Sequence, residues 1–302
     1  MCCLFGIYDY SHSLTAAQKK RLVSALAVAS EDRGTDATGI AYNHAGRLTV
    51  YKRPCPAHLL RFRIPEDARC VMGHTRMTTQ GNEKRNYNNH PFLGTADVPF
   101  ALAHNGIIYN DSSLRTEKSL PRTRIETDSY VAVQLLAQQG NVSFQSIRAA
   151  VEPLRGTLTL TILDSRDDLY IAKGNNPLFL YHFPRAGLYV YASTEQILRR
   201  GLKKGMPRME QPFEVMLREG DILRIDRQGR YTVERFDTRN LWDGTAHFSW
   251  PYWDVYAGQD EYINDLKSVA AAYGYTPHDI DVFLSYGLCP EEIEEIMCCG
   301  EV

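Results

Sequence analysis

The 302-residue chain has no apolar run long enough to span a bilayer, and no basic amino-terminal segment followed by a secretory apolar stretch. Both absences argue against a membrane or exported protein and leave a cytoplasmic address as the expectation. There is no basic stripe, and a formal net charge of −2 offers no electrostatic footprint for nucleic acid. The seven cysteines (Cys2, Cys3, Cys55, Cys70, Cys289, Cys298, Cys299) lack paired CxxC spacing, which argues for reduced thiols and against a disulfide framework or a metal site. No GxxxxGK[ST] phosphate-binding signature occurs. What is present is ordinary for a globular chain: 44% hydrophobic and 23% charged residues, enough for one large domain and a small one.

Cys3 to Tyr8 reads as a short apolar strand that holds residue 2 in a fixed place. A helix is expected from Thr15 to about Glu31, followed by the polar turn Arg33-Gly34-Thr35-Asp36 and strands near Thr38–Tyr42, Leu48–Lys52, Cys70–His74 and Phe100–His104. Helices at Asp128–Gln138 and Phe144–Val151 then lead to strands at Leu158–Leu163, Leu169–Ala172, Leu178–Tyr181 and Leu188–Tyr191. A helix at Thr194–Leu202 and strands at Ile222–Ile225 and Tyr231–Glu234 complete the series. Blocks of strands with helices segregated between them predict an α+β layered sandwich rather than a doubly wound parallel sheet. Composition shifts near residue 237. Residues 237–258 hold all three tryptophans and read as an aromatic connector. Residues 259–302 read as a small helical appendage, with helix starts at Thr276-Pro277, where Asp279 occupies the capping-box position, and at Pro290.

Cys2 follows an initiator methionine whose neighbour is small enough for its removal. Removal of Met1 would put a thiol and a free α-amine on one residue, and an α-amine titrating near pH 8 can accept the thiol proton without a histidine. A buried strand cysteine acting as a small hydrophobe is the alternative. Behind Cys2-Cys3-Leu4-Phe5-Gly6-Ile7 come, in order, Arg33-Gly34-Thr35-Asp36-Ala37-Thr38-Gly39, Gly73-His74-Thr75-Arg76-Met77-Thr78-Thr79-Gln80-Gly81, Asn88-Asn89-His90-Pro91-Phe92, Ala103-His104-Asn105-Gly106 and Thr127-Asp128-Ser129. This ordered set resembles the class II glutamine amidotransferase domain of the N-terminal-nucleophile (Ntn) hydrolase superfamily, over residues 2 to about 235. The resemblance implies a four-layer αββα sandwich at residues 2–236. It also implies hydrolysis of the glutamine side-chain amide to glutamate and ammonia through a thioester on Cys2, with no cofactor and no metal. Carried over, Cys2 is nucleophile and, through its α-amine, base. Asn105 and the Gly106 N–H form the oxyanion hole, Arg76 holds the substrate carboxylate and Asp128 its ammonium, and Thr79 and the backbone around His90 line the pocket.

The residue types suit that chemistry. An amide-hydrolysing thiol needs donors aimed at the developing oxyanion, and an amino-acid substrate calls for a planar guanidinium and a carboxylate. Each also has a local reading. Asn105-Gly106 between apolar runs is a strong type I′ hairpin signal, and turn and oxyanion roles can coexist. Asp128 reads equally as the acidic start of a helix, and Arg76 as a solvated loop charge. Arg33 and Asp36 read as braces of a turn, His74 and His104 as core histidines, and His90 as shaping the pocket. The polar segment Met77–Asn89 has the length of a lid. Cys3 stands where the family usually has glycine and Tyr130 where many members are acidic. The residues after 237 are too few for a synthase domain. Three readings follow: a glutaminase supplying a separate ammonia acceptor, a stand-alone amidohydrolase acting on a γ-glutamyl amide, and a silent amino-acid-binding scaffold.

Overall fold

Side-chain alternation along the first strand sets the layer order. In β1 (Cys3–Asp9), Cys3, Phe5 and Ile7 enter one apolar core, while Leu4 and Tyr8 enter another. The computed structural model describes residues 2–208 and 210–241, together with 263, 266–267, 270–285, 288, 293 and 296–297. It divides into units of residues 1–244 and 245–302.

In the first unit β1 lies inside a seven-stranded antiparallel sheet. The order is β11 (Phe213–Glu214), β9 (Phe179–Phe183), β10 (Leu188–Ala192), β1, β4 (Cys70–Arg76), β2 (Ala37–His44) and β3 (Arg47–Arg53). A six-stranded antiparallel sheet orders β13 (Tyr231–Arg235), β12 (Asp221–Ile225), β8 (Leu169–Lys173), β7 (Thr159–Asp164), β6 (Pro99–Asn105) and β5 (Phe92–Thr95). Leu4, Met72, Ala41 and Tyr191 of the first sheet meet Ala101, Ala103, Leu163, Ile171 and Leu223 of the second in a core between the sheets. On the outer face of the first sheet, α1 (Ala16–Ala29) and α5 (Glu195–Gly205) bury Leu22, Leu26, Ile197 and Leu198 against Phe5, Ile7, Ile40 and Val190. On the outer face of the second, α3 (Tyr130–Gln138) and α4 (Phe144–Val151) bury Val131, Leu135 and Ile147 with Phe100, Leu102, Leu160 and Ile162. The order α-β-β-α is the expected sandwich.

Local chemistry explains the boundaries. Thr15 caps α1 through a box in which its hydroxyl accepts from Gln18 N at 3.3 Å while Gln18 Oε1 accepts from Thr15 N at 2.8 Å. The helix ends at Ala29, short of the expected Glu31, because Ser30–Arg33 tighten into a 3-10 turn. The helix expected from Asp128 starts at Tyr130. Among the described strands and α-helices three were not anticipated: β5, β11 and α2 (Asp111–Glu117). Among the described residues no helix is long and apolar enough to cross a membrane.

In the second unit, the box expected at Thr276 is present. Thr276 N donates to Asp279 Oδ2 at 2.7 Å and Asp279 N to Thr276 Oγ1 at 3.3 Å, opening α6 (Pro277–Ser285). Ile280 packs there with Leu266, Ala270, Ile293 and Met297. The helix start expected at Pro290 and the aromatic stretch 242–258 lie outside the described residues.

Polar ties join the sheets at both ends. His74 Nε2 donates to the His104 carbonyl at 3.0 Å, and at the opposite end Asn43 Nδ2 donates to the Asp164 carbonyl at 2.8 Å. Near that second end Lys19 and Asp9, both fully buried, pair at 3.2 Å. Lys19 also donates to the carbonyls of Glu66 and Ala68, and Asp9 accepts from Ser13 N and Leu14 N. Removing one member strands a buried charge. Lys19→Ala is therefore expected to lower unfolding stability in urea by about 3–5 kcal/mol, and the paired change Asp9→Asn with Lys19→Met to recover part of that loss.

Candidate active site

The alternation that orders the layers also gathers the candidate residues. In β4, Cys70 and Met72 face the inter-sheet core, so His74 and Arg76 continue the same face. In β6, Ala101 and Ala103 face it, so Asn105 does too. Cys2 precedes β1 with the parity of Leu4, and Cys3 pairs with Thr75 across β4. All four positions stand at one end of the sandwich. The thiol of Cys3 belongs to the opposite face, in the core beneath α1, and its Sγ donates to the Leu4 carbonyl at 3.3 Å. It adds a core side chain, not a second thiol on the inter-sheet face.

Cys2 is half-buried, with Sγ 3.4 Å from the Met77 carbonyl. Burial pushes its thiol pKa up, against the lowering effects of a backbone hydrogen bond from Met77 and of the Arg76 charge. Arg33 Nε donates to the Cys2 carbonyl at 3.1 Å. Asp36 accepts from Thr78 N at 2.7 Å, and its own N–H donates to the Arg76 carbonyl at 3.0 Å. The Arg33–Asp36 turn thus braces the backbone on both sides of the thiol. Gly34 lets it approach: a Cβ there would lie 2.4 Å from the Arg76 carbonyl carbon.

The hairpin reading of Asn105-Gly106 is wrong. The chain after β6 does not return as a neighbouring strand; β6 pairs with β5 before it and with β7 some fifty residues later, Asn105 facing Thr159. Gly106 alone has positive φ, +144°, where a Cβ would lie 2.0 Å from the Thr157 carbonyl oxygen. Asn105 is buried, its carbonyl accepts from Asn176 Nδ2 at 2.9 Å, and its own Nδ2 has no partner. A buried, unpaired amide donor is costly unless a ligand meets it.

Arg76 is the last residue of β4 and is buried, not a solvated loop charge. It donates to Asn89 Oδ1 at 2.7 Å and to the Gln80 carbonyl. Residues 77–89, expected as a lid, are tied down by these bonds and by Glu126, which accepts from Arg85, from Asn82 N at 3.3 Å and from Asn88 Nδ2 at 2.8 Å. Thr79 is exposed. Lys52 of β3, unanticipated, donates to the carbonyls of Asn89 and Pro91 that flank His90, and lies over the Phe92 ring at 4.8 Å. Burial, with Arg76 adding to it, lowers its pKa from 10.5 to about 8.

Asp128 is buried before α3 and does not start it. Its Oδ2 accepts from Ile108 N at 2.7 Å, pinning the loop after Gly106, and its Oδ1 accepts from Ser129 Oγ at 3.2 Å. His104 is fully paired, with Nδ1 2.8 Å from Ser129 Oγ and Nε2 3.2 Å from the Thr157 carbonyl. The rings of His74 and His90 are in contact, with centroids 4.2 Å apart and planes tilted by 32°; His74 Nδ1 and both nitrogens of His90 are buried without partners. Burial holds His74 down to about 3 and His90 well below the ordinary range, so both are neutral.

The structure thus brings Cys2, Arg76, Asn105 and Gly106 to one end, with Asp128 bonded to the loop beyond Gly106. Two clefts, of about 290 and 580 Å³, lie at the other end around Arg166 and Arg227 and include none of these residues. Among the described residues no cluster of three or more His, Cys, Asp or Glu could hold a metal ion. Sequence reasoning missed Asn89, Ser129 and Lys52. Asn89 and Ser129 stand inside quoted motifs, where adjacency to His90 and Asp128 was the available signal; Lys52 carries none.

Residues 74–200 match the family described as a glutamine amidotransferase domain. The glutamine–fructose-6-phosphate aminotransferase (isomerizing) of Staphylococcus epidermidis is 32% identical over 190 residues, 60% of this chain and 30% of that protein. The Staphylococcus aureus enzyme of the same name matches equally, so the chain covers less than a third of these relatives. In fold, it is similar to the glutamine phosphoribosylpyrophosphate amidotransferase of B. subtilis complexed with ADP and GMP, with TM-score 0.61, 21% identity and coverage of 79% of this chain and 50% of that one. A structure titled as the allosteric regulatory enzyme of purine biosynthesis gives TM-score 0.63 at 20% identity, covering 78% and 49%.

Lys52 supplies a pH test. Its folded pKa is lowered, so between about pH 8 and 10.5 the unfolded chain holds the extra proton and stability rises with pH. The melting temperature of the wild type relative to Lys52→Met is expected to climb across that range; a flat difference would overturn the assignment.

Proposed function

We propose that the chain carries a class II glutamine amidotransferase domain and releases ammonia from glutamine through a thioester on Cys2. The observation that carries this reading is the buried, partnerless Nδ2 of Asn105, on the same face and at the same end of the sandwich as Cys2. Once Met1 is removed, the α-amine takes the thiol proton and Sγ attacks the side-chain amide carbon of glutamine. Burial favours the neutral thiol, which makes that base necessary. The oxyanion takes hydrogen bonds from Asn105 Nδ2 and the Gly106 N–H. Collapse expels ammonia, which leaves with the proton held on the α-amine. Water, deprotonated by the same amine, then cleaves the thioester to glutamate.

Arg76 binds the α-carboxylate by exchanging its contacts to Asn89 and Gln80, and Asp128 takes the α-ammonium. Thr79 and the backbone around His90 complete the pocket, while Arg33, His74 and His104 hold the elements beneath it. We assign this chemistry to residues 2–236, with 237–258 as connector and 259–302 as appendage, and the ammonia to a separate acceptor protein. A pull-down that loses its specific partner when 237–302 are removed would support that acceptor.

Intact mass should show loss of Met1, and a glutamine-like diazo-ketone should label Cys2 alone, with glutamine protecting. Labelling spread over other cysteines without protection would refute the enzyme and favour the amino-acid-binding scaffold. Asn105→Ala is expected to lower glutaminase kcat by about a hundredfold to a thousandfold. Arg76→Lys, which keeps charge but loses the planar fork, is expected to act mainly on KM.

A further inference from the structure

The Thr127-Asp128-Ser129 turn contains a hydroxyl for which the mechanism has no task. Ser129 is buried, and its Oγ lies between His104 Nδ1 at 2.8 Å and Asp128 Oδ1 at 3.2 Å. His104 Nε2 faces the Thr157 carbonyl at 3.2 Å. A carbonyl only accepts, so Nε2 carries a hydrogen. One hydroxyl hydrogen is left to serve two neighbours, and the charge on His104 decides where it goes. With His104 neutral, Nδ1 is a bare acceptor and takes that hydrogen. Asp128 Oδ1 then has no donor among the described residues, while Oδ2 stays on Ile108 N. With His104 protonated, Nδ1 donates to Ser129 Oγ, and the hydroxyl turns to Asp128 Oδ1, completing a chain from imidazolium through hydroxyl to carboxylate.

We propose that Ser129 is a positioning residue whose hydroxyl hydrogen, directed by the charge state of His104, opens or closes Asp128 Oδ1 to the α-ammonium of glutamine. The inference rests on the assignment of Asp128 to that ammonium. In the open state Oδ1 presents free lone pairs to a cation. In the closed state the incoming ammonium meets an oxygen already hydrogen-bonded and an imidazolium one hydroxyl away, so it is bound more weakly. The groups facing His104 are Asp128 through Ser129, the Thr157 carbonyl, His74, which donates to the His104 carbonyl, and His90 tilted against His74; the two histidines are neutral. Burial outweighs the raising effects of Asp128 and Thr157 and sets His104 below its ordinary value of 6.5. The open state therefore prevails at neutral pH and closes on acidification.

The test is calorimetric titration of glutamine into Cys2→Ala protein, which binds without turnover, from about pH 7.5 down to about pH 5. With Ser129 intact, affinity is expected to fall roughly tenfold on the acid side. Ser129→Thr keeps the hydroxyl and should keep that fall; Ser129→Ala should flatten it, whatever its affinity at neutral pH. Circular dichroism at each pH verifies that the variants remain folded. If Ser129→Ala weakens binding equally at every pH and keeps the acid fall, Ser129 is packing only and the inference fails. If Asp128→Asn binds glutamine as well as its parent, the assignment beneath the inference fails instead, independently of the Ser129 result.

Discussion

The register between the two sheets is the constraint on which the site depends. An apolar inter-sheet core built from Leu4, Met72, Ala103, Leu163 and Leu223 resists separation of the layers but is nearly indifferent to sliding. Direction comes from the polar ties, His74 to the His104 carbonyl at one end and Asn43 to the Asp164 carbonyl at the other. Cys2 and Arg76 belong to the first sheet and Asn105 to the second, so any slip would part the thiol from the amide proposed to meet its oxyanion. The tie at the site end ends on the residue before Asn105. Fold and candidate-site geometry share one hydrogen bond.

Six of the buried polar atoms without partners belong to the site end. Asn105 Nδ2, His74 Nδ1, both His90 nitrogens, Thr78 Oγ1 and Thr127 Oγ1 are buried without partners. Each costs stability, and each is a donor or acceptor already desolvated. The remote ion pair of Lys19 and Asp9, by contrast, has every lone pair and proton used.

Much of the fold was legible because period-2 alternation and apolar helix faces survive in the sequence. The stretch Phe144–Val151 forms the helix expected of it, and the strands of β7, β8 and β10 differ from expectation by a residue or two at their ends. The elements not foreseen lack such signals. β5 has four residues, one of them Gly94, and α2 buries only Leu114. At the site, residue types were readable but partners were not. Asn105-Gly106 looked like a local turn because the strand that pairs with β6 lies far along the chain. Asp128 looked like a helix start because nothing in the sequence indicates that its carboxylate reaches back to Ile108 N. Motif adjacency marks a position; only tertiary contact shows what its atoms do.

Arg76 rests on carbonyl and amide oxygens of its own chain, those of Gln80 and Asn89. On the proposed assignment of Arg76 to a substrate carboxylate, a guanidinium so occupied does not wait for a ligand; it performs an exchange reaction. An incoming group must outbid neutral dipoles held at very high effective concentration, and a full negative charge with paired oxygens is the kind that can. Selectivity then arises as a difference between two bound states. A ligand whose carboxylate is masked as an ester or amide offers the arginine little more than the backbone already gives, and the internal competitor keeps its place.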